Sequence, residues 1–311
     1  MSNTMKKILV TGANGFIGQY VVENLVNSGY SVLAFDRHDK IAVSENVEIF
    51  RGDVRDFVAV NEAVALCDGV IHLAAVLGTS ETVNEPRPAV ETNIYGSLNV
   101  FQSCRNYHVP CVYICVGNYW MHNSYAITKT TAEKIAMMFN KEHNTKISIV
   151  RALNAYGPRQ KHSPVRKIIP NFIIPALKDE EIIIYGDGNQ IMDMIYVSDV
   201  ADVLVKALTQ DHGQYIHNPY REDLDNPIKF DAGSGLSTTV NEIANEVIRL
   251  VGSGRIKHVP MREGEPERSI VLGKPETLKP LYNGEIPKLI SLEDGLMKTI
   301  QYYKENIKKY N

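Results

Sequence analysis

The sequence predicts an α/β fold, a Rossmann-like doubly wound parallel sheet followed by a smaller mixed α/β region. Two observations carry this. Strand-like apolar runs alternate with helix-period segments over the first half, and a glycine-rich turn joins the first strand to the first helix. Taken in order, Ile8–Val10 is a strand and the turn after it opens a helix with one apolar face. A second strand over Ser31–Phe35 ends in Asp36, which completes a βαβ unit of ordinary length. Strand-like runs follow at VEIFRGD, GVIHLAA, CVYICV and ISIVRAL, with helical patterns around Val58–Leu66, Ala89–Asn106 and Tyr125–His143. After Ala155 the segment YGPRQKHSPVRK reads as loop, punctuated by Pro158, Pro164 and Pro170. A mixed region with helical patterns at Val240–Val251 and Leu292–Ile307 runs to the end. The expected division is residues 1–155 for the sheet domain and 156–311 for the second, with room for the second to return a strand to the first sheet.

At 311 residues, 44% hydrophobic and 22% charged, the chain can bury one large core or two smaller ones. A formal net charge of −3 without long Lys/Arg runs lacks the basic footprint that a nucleic-acid backbone demands, so no nucleic-acid partner is expected. The apolar runs are too short to span a membrane. MSNTMKKILVTGANGF also lacks the apolar stretch and small-residue cleavage site of a signal peptide, so a cytoplasmic location is expected. Cys67, Cys104, Cys111 and Cys115 form no CxxC pair and have no His/Cys spacing suited to zinc; reduced core thiols and no metal are expected.

In VTGANGFIG the glycines Gly12, Gly15 and Gly18 lie directly between a strand and a helix. Gly12 permits the tight turn, Gly15 lets the backbone approach a pyrophosphate, and Gly18 lets the helix pack on the sheet. Phe16 and Ile17 sit in the first turn of that helix, whose exposed N–H groups and dipole favour phosphate. Asp36, at the end of the second strand, can accept both ribose hydroxyls and repel a 2′-phosphate. NAD is favoured, and Arg37 directly after it leaves NADP open.

With GDV at Gly52–Val54, HLAA at His72–Ala75, TNIYG at Thr92–Gly96 and YAITK at Tyr125–Lys129, the chain resembles the extended short-chain dehydrogenase/reductase family, and within it the nucleotide-sugar epimerases and dehydratases. The likeness continues through RALNAYGPRQ, IIYGDGNQIMDMIYVSDVA and FDAGSGLSTTVNEIA, and so covers nearly the whole chain. It implies a modified Rossmann domain with a tightly held nicotinamide cofactor, a smaller C-terminal domain for a nucleoside diphosphate sugar, and a homodimer paired through the helices at 89–106 and 125–143. By the same resemblance Asp53 and Val54 lie at the adenine, Leu73, Ala74 and Ala75 line the cofactor path, and Asn93 sits near the active site. Lys129 resembles the lysine that bonds the nicotinamide ribose, and Tyr125 the catalytic base. Asn154 and Arg262 resemble residues that meet the sugar diphosphate, and Tyr185 an aromatic near the nucleotide base. Core packing is the other reading of Tyr185, and a solvated loop charge that of Arg262.

The pair Tyr125 and Lys129 is four residues apart, so on a helix both side chains point to one cleft. A phenol has an unperturbed pKa of about 10. A neighbouring ammonium and a positive nicotinamide ring are expected to lower it, so that phenolate takes a proton from a sugar hydroxyl while hydride leaves the same carbon.

Four positions and one loop depart from the family pattern. Gly117 stands where a Ser or Thr hydroxyl usually shares the substrate proton, with Asn118, His122, Ser124 and Cys115 as candidate substitutes. The loop from there to Tyr125 is short, and Asn118 and Tyr119 replace the acidic pair of the usual 4,6-dehydratases. Met192 replaces an arginine that meets the nucleotide, leaving Arg159, Lys161, Arg166, Lys167 or Arg262 to take over. The expected substrate-binding set is therefore Asn118, Asn154, Arg159, Tyr185 and Arg262. The expected function is a UDP-sugar 4-epimerase; the alternatives are a 4-keto reductase, a dehydratase or isomerase of a deoxysugar pathway working through Cys115 or His122, or a non-catalytic nucleotide-sugar-binding protein.

Overall fold

The computed structural model describes residues 6–38, 45–216 and 226–310. The first half runs β1 (Lys7–Thr11), α1 (Phe16–Asn27), β2 (Ser31–Asp36), β3 (Val47–Arg51), α2 (Phe57–Ala65) and β4 (Gly69–His72). A short α3 (Arg87–Ala89) passes through a π-helical stretch, Val90–Gly96, into α4 (Ser97–Tyr107), followed by β5 (Cys111–Val116), α5 (Ser124–His143) and β6 (Ile147–Ala152). Next come β7 (Asn154–Tyr156), α6 (Ile168–Leu177), β8 (Glu181–Tyr185), β9 (Ile191–Met192), β10 (Met194–Tyr196), α7 (Val197–Thr209) and β11 (Lys229–Ala232). The chain ends with β12 (Thr238–Thr239), α8 (Val240–Val251), β13 (Arg255–Val259), β14 (Ile270–Val271) and α9 (Leu292–Asn306).

Seven parallel strands form the central sheet in the order β11-β6-β5-β4-β1-β2-β3. Apolar cores cover both faces, which is why strands such as β5 read as continuous apolar runs, all six residues buried, rather than as alternating ones. The strand order reverses between β1 and β4, and the crevice at the carboxyl ends of these strands is the place where such sheets bind ligands. The C-terminal half contributes to this sheet twice. β11 extends it beside β6, and α7 packs its apolar face into the core shared with α1.

A buried ion network pins the returning strand. Glu133 of α5 receives Arg151 of β6 at 2.7 Å and Lys229 of β11 at 2.9 Å. Burial alone would raise the Glu133 carboxyl, but the two cations outweigh it and hold it below the ordinary range.

The smaller lobe gathers α6, α8 and α9 around a third core, with β8 pairing β13 and β9 pairing β12 and β14. Helix α6 is absent from the expected elements, because its prolines read as loop. Pro170 occupies its first turn, where no N–H donor is needed, and Pro175 lies inside it near its end. Among the described residues no helix is long and apolar enough to cross a membrane, and no cluster of three or more His, Cys, Asp or Glu is placed to hold a metal.

Candidate active site

A cavity of about 650 Å³ runs from the glycine turn, across the strand crevice, to β8 and the 261–266 loop of the smaller lobe. At the first end the main chain makes the site. Gly12 has φ +70° and donates its N–H to Phe35 O at 2.9 Å. A Cβ on it would stand 2.8 Å from Ala74 N, so the turn and the strand end fit only without a side chain. A Cβ on Gly18 would run into Gly12 O. Helix α1 begins at Gly15 with no side-chain cap and no acidic residue in its first turn, which leaves its N–H groups and positive dipole end to an anion. This cradle fits the pyrophosphate of a dinucleotide.

Asp36 accepts the N–H groups of Asn14 (3.0 Å) and His38 (3.1 Å), one on each oxygen, and keeps lone pairs toward the crevice for ribose hydroxyls. Arg37 also lines the cavity, with a guanidinium nitrogen 3.9 Å from Asp53. Arg55 grips Asp53 at 2.8 and 3.1 Å and holds its carboxyl below the usual range. Leu73 and Ala74 are fixed by a relay behind them. Thr11 Oγ1 accepts both their N–H groups, at 3.2 and 3.3 Å, so its hydroxyl donates to His72 Nδ1 at 2.7 Å. Ser97 Oγ donates to Asn93 O, so it accepts the His72 Nε2 proton at 3.0 Å. That assigns His72 a neutral tautomer, and burial pushes its pKa down to about 3.

The Tyr125/Lys129 pair enters from α5. Asn123 caps that helix by accepting from Ala126 N at 2.9 Å, which places Tyr125 in the first turn and Lys129 one turn on, both on the cavity wall. The Lys129 ammonium rests 4.1 Å from the centroid of the Tyr113 ring. Burial lowers its pKa to about 8. Burial, and after it the neighbouring Cys115 thiol, push the Tyr125 phenol up. The lowering expected from the sequence is thus opposed by the protein's own surroundings, because the phenol is desolvated more strongly than a sequence reading of a Tyr/Lys spacing can register.

The space beside Gly117, where the resemblance puts a hydroxyl, is filled. A Cβ on Gly117 would run into Leu153 Cδ1, and the same leucine lies 2.9 Å from where a Cβ on Gly233 would stand and 3.0 Å from one on Gly273. Asn118 and Cys115 line the cavity, whereas His122 and Ser124 do not, and His122 is exposed. Burial pushes the Cys115 thiol up, so it is neither a base nor a nucleophile near neutral pH.

At the far end Asn154 donates its side-chain amide to Asp193 O at 3.1 Å, and Tyr185 accepts from Arg166 at 2.7 Å while Arg262 lies 4.9 Å over its ring. Arg262 pairs with Glu265 and, at 3.8 Å, with Glu81.

The cavity brings together Gly12, Gly15, Phe16, Ile17 and Gly18, then Asp36, Arg37, Asp53 and Val54, and Leu73, Ala74 and Ala75. It adds Tyr125, Lys129, Asn118, Asn154, Tyr185 and Arg262. Two expected residues lie elsewhere. Asn93 is buried off the cavity, its side chain bonding both backbone groups of Val76 and, at 3.0 Å, Thr128. Arg159, with φ +69°, turns away to pair with Glu23 and to stack 4.0 Å over Tyr20. Arg166 and Lys167, two of the candidate replacements for the missing arginine, line the cavity, as does Glu265, which no expectation included. Lys167 stands in a segment that reads as loop, and the MREGEPER run does signal Glu265, three residues after Arg262.

Known proteins are similar to this chain in sequence and fold. The family described as NAD dependent epimerase/dehydratase matches residues 8–218. A UDP-N-acetyl-alpha-D-glucosaminuronate decarboxylase from Bacillus cytotoxicus is 28% identical over 331 residues, covering 96% of this chain and 98% of the relative. The crystal structure of UDP-glucose 4-epimerase from Thermotoga maritima with UDP-glucose superposes with a TM-score of 0.84 at 28% identity, over 97% of this chain and 99% of that one. A Thermus thermophilus UDP-glucose 4-epimerase in complex with NAD gives 0.81 at 25% identity, over 96% and 98%. The chain is therefore an enzyme of the extended short-chain dehydrogenase/reductase type that uses NAD, and it belongs to the NAD dependent epimerase/dehydratase family.

Proposed function

We propose that this enzyme is a nucleotide-sugar 4-epimerase, acting on a UDP-sugar through transient oxidation at C4. The observation that carries the reading is the cavity itself. It places Tyr125 and Lys129 between a main-chain pyrophosphate cradle and a second end bearing Asn154, Tyr185 and Arg262. NAD, when bound, would supply the hydride acceptor and a positive charge to the cavity that Tyr125 lines. The cationic Lys129 and the positive charge of the bound cofactor would have to favour phenolate against the upward push of burial. As phenolate, Tyr125 would take the proton of the C4 hydroxyl and give it back when hydride returns to the other face of the 4-keto sugar. Lys129, still largely protonated at neutral pH with a pKa of about 8, contributes positive charge and holds the ribose. Asn154, oriented by Asp193, and Arg262 face the diphosphate, and Tyr185 the base.

Elimination of water has less support. Asn118 carries an amide at the position of an acid, and Tyr119 is turned under Arg151, whose guanidinium carbon is 4.4 Å from its ring. The carboxylates Glu81 and Glu265 at the sugar end are both engaged by Arg262. A homodimer is part of the proposal. Tyr95, Ile127 and Met138 are exposed apolar side chains along the π-helical stretch and α5, and sedimentation of the purified protein tests it.

Incubation with UDP-hexoses, UDP-N-acetylhexosamines and UDP-uronic acids under NAD should yield a 4-epimer without net NADH. If every sugar returns unconverted, the reading fails; release of CO₂ from a uronic acid would replace it with decarboxylation.

A further inference from the structure

Asn123 holds two elements with one amide. Its Oδ1 accepts Ala126 N at 2.9 Å and so caps α5 at the residue after Tyr125, while its Nδ2 donates to Gly264 O at 3.1 Å. A backbone N–H can only donate and a carbonyl can only accept, so these partners fix which amide atom is which. The cap needs only the acceptor, which Ser, Thr or Asp supplies as well; the donor is what asparagine adds. Asn123 is 3% exposed and does not line the cavity, so it acts through what it holds. Gly264 belongs to the 261–266 loop, from which Met261, Arg262, Glu265 and Pro266 line the cavity. Its other side is closed by the turn after β4: at φ +78°, a Cβ on Gly264 would stand 2.6 Å from Thr79 O and from Val83 Cγ2. The same loop is held there by Glu265, which accepts the Thr79 hydroxyl at 2.6 Å, and by Arg262, 3.8 Å from Glu81. The loop is therefore fitted against the 79–83 turn, and a hydrogen bond joins that fit to the helix turn that carries Tyr125.

We propose that Asn123 is a positioning residue that couples the seating of the 261–266 loop over the cavity to the placement of Tyr125, so that occupancy of the second end is felt at the first turn of α5. A loop that shifts pulls on the Asn123 amide and through it on the cap, and such a tie acts equally in both directions. This rests on reading the site as one for a nucleoside diphosphate sugar, and not on epimerisation.

The test is hydrogen–deuterium exchange on the NAD-loaded protein with and without UDP, at a concentration that calorimetry shows to saturate. UDP has no sugar to meet the Tyr125 phenol, so a response of α5 has to travel through the protein. In the wild type UDP should slow exchange over 261–266 and over 124–127 together. Asn123→Asp keeps the shape and the cap acceptor but has no N–H to donate. UDP should still slow 261–266 in that variant, while its effect at 124–127 falls by roughly threefold or more. Gly264→Ala breaks the tie from the other side by pushing the loop off Thr79, and should uncouple the two segments in the same way. With a sugar that the wild type converts, the kcat of Asn123→Asp should drop roughly five- to tenfold, the worth of one neutral hydrogen bond, with KM changed less. Protection at 124–127 that persists in both variants, or wild-type protection confined to 261–266, overturns the proposal. So does an Asn123→Asp protein that loses only denaturation midpoint while kcat per folded molecule holds, since Asn123 would then be a cap alone. Failure of the wild type to bind UDP overturns the site reading and this proposal with it, whereas coupled protection in a protein that converts no sugar sinks only the epimerase reading.

Discussion

The two ends of the cavity are built from different materials. At the cofactor end the shape is main chain: Gly12 at φ +70° beneath Ala74, Gly18 against Gly12 O, and an uncapped helix start. At the sugar end it is a set of paired side chains, in which Arg262, Glu265, Glu81 and Thr79 hold one another and Arg166 holds Tyr185. A backbone-built cradle has one solution and fails when any atom is added. A web of side-chain pairs can be rearranged at modest cost, which suits the end of the site proposed to meet the substrate.

Changes at the two ends should therefore differ in size, and Tyr125, where they meet, should give the largest effect. Tyr125→Phe is expected to cut turnover by on the order of 10²–10⁴ while bound NAD, measured by absorbance after denaturation, stays at wild-type content. Gly12→Ala comes next: a side chain at positive φ against the Ala74 backbone should cost on the order of 3 kcal/mol in urea unfolding and strip the cofactor. If that variant keeps NAD, the cradle is softer than described.

Lys129→Met reads the desolvation of the catalytic helix. The folded pKa of Lys129 is about 8, below its ordinary value of 10.5, so the fold disfavours its charged form. Below about pH 8 both folded and unfolded chains hold the proton, and the penalty is fully present. Between about 8 and 10.5 the unfolded chain holds it and the folded one does not, so stability rises with pH; above that range the penalty is gone. Lys129→Met should thus be more stable than wild type at pH 7, by on the order of 2 kcal/mol, and the difference should fade toward pH 10.5. A pH-independent difference in denaturation midpoint would reject this. The smallest effect is expected at the sugar end: Glu265→Gln should change stability by about 1 kcal/mol or less and KM only a few-fold. A loss of binding as complete as that from Gly12→Ala would erase the contrast between the two ends.

The same contrast explains what could be read in advance. Strands buried on both faces, the glycine turn and the Tyr125/Lys129 spacing are local patterns, and each stands in the structure where the sequence puts it. Arg159 follows the NAYGP motif closely enough to be expected at the substrate, but the positive φ that sends it to Glu23 has no signature in a non-glycine residue. Asn93 belongs to the right motif and serves by fixing Val76 and Thr128 rather than by touching the cavity. Helix α6 stays hidden because it starts within a proline-rich stretch, and the upward push on the Tyr125 phenol comes from burial, which a local Tyr/Lys spacing does not register.

The leucine at the three-glycine junction constrains how this sequence can have arisen and can be changed. A serine introduced at Gly117 first meets Leu153, so that step alone is penalised; shortening Leu153 first opens the space into which the hydroxyl can then be placed. Positions 117 and 153 are therefore coupled, and a library that varies both together samples arrangements that changing Gly117 alone reaches only by moving Leu153.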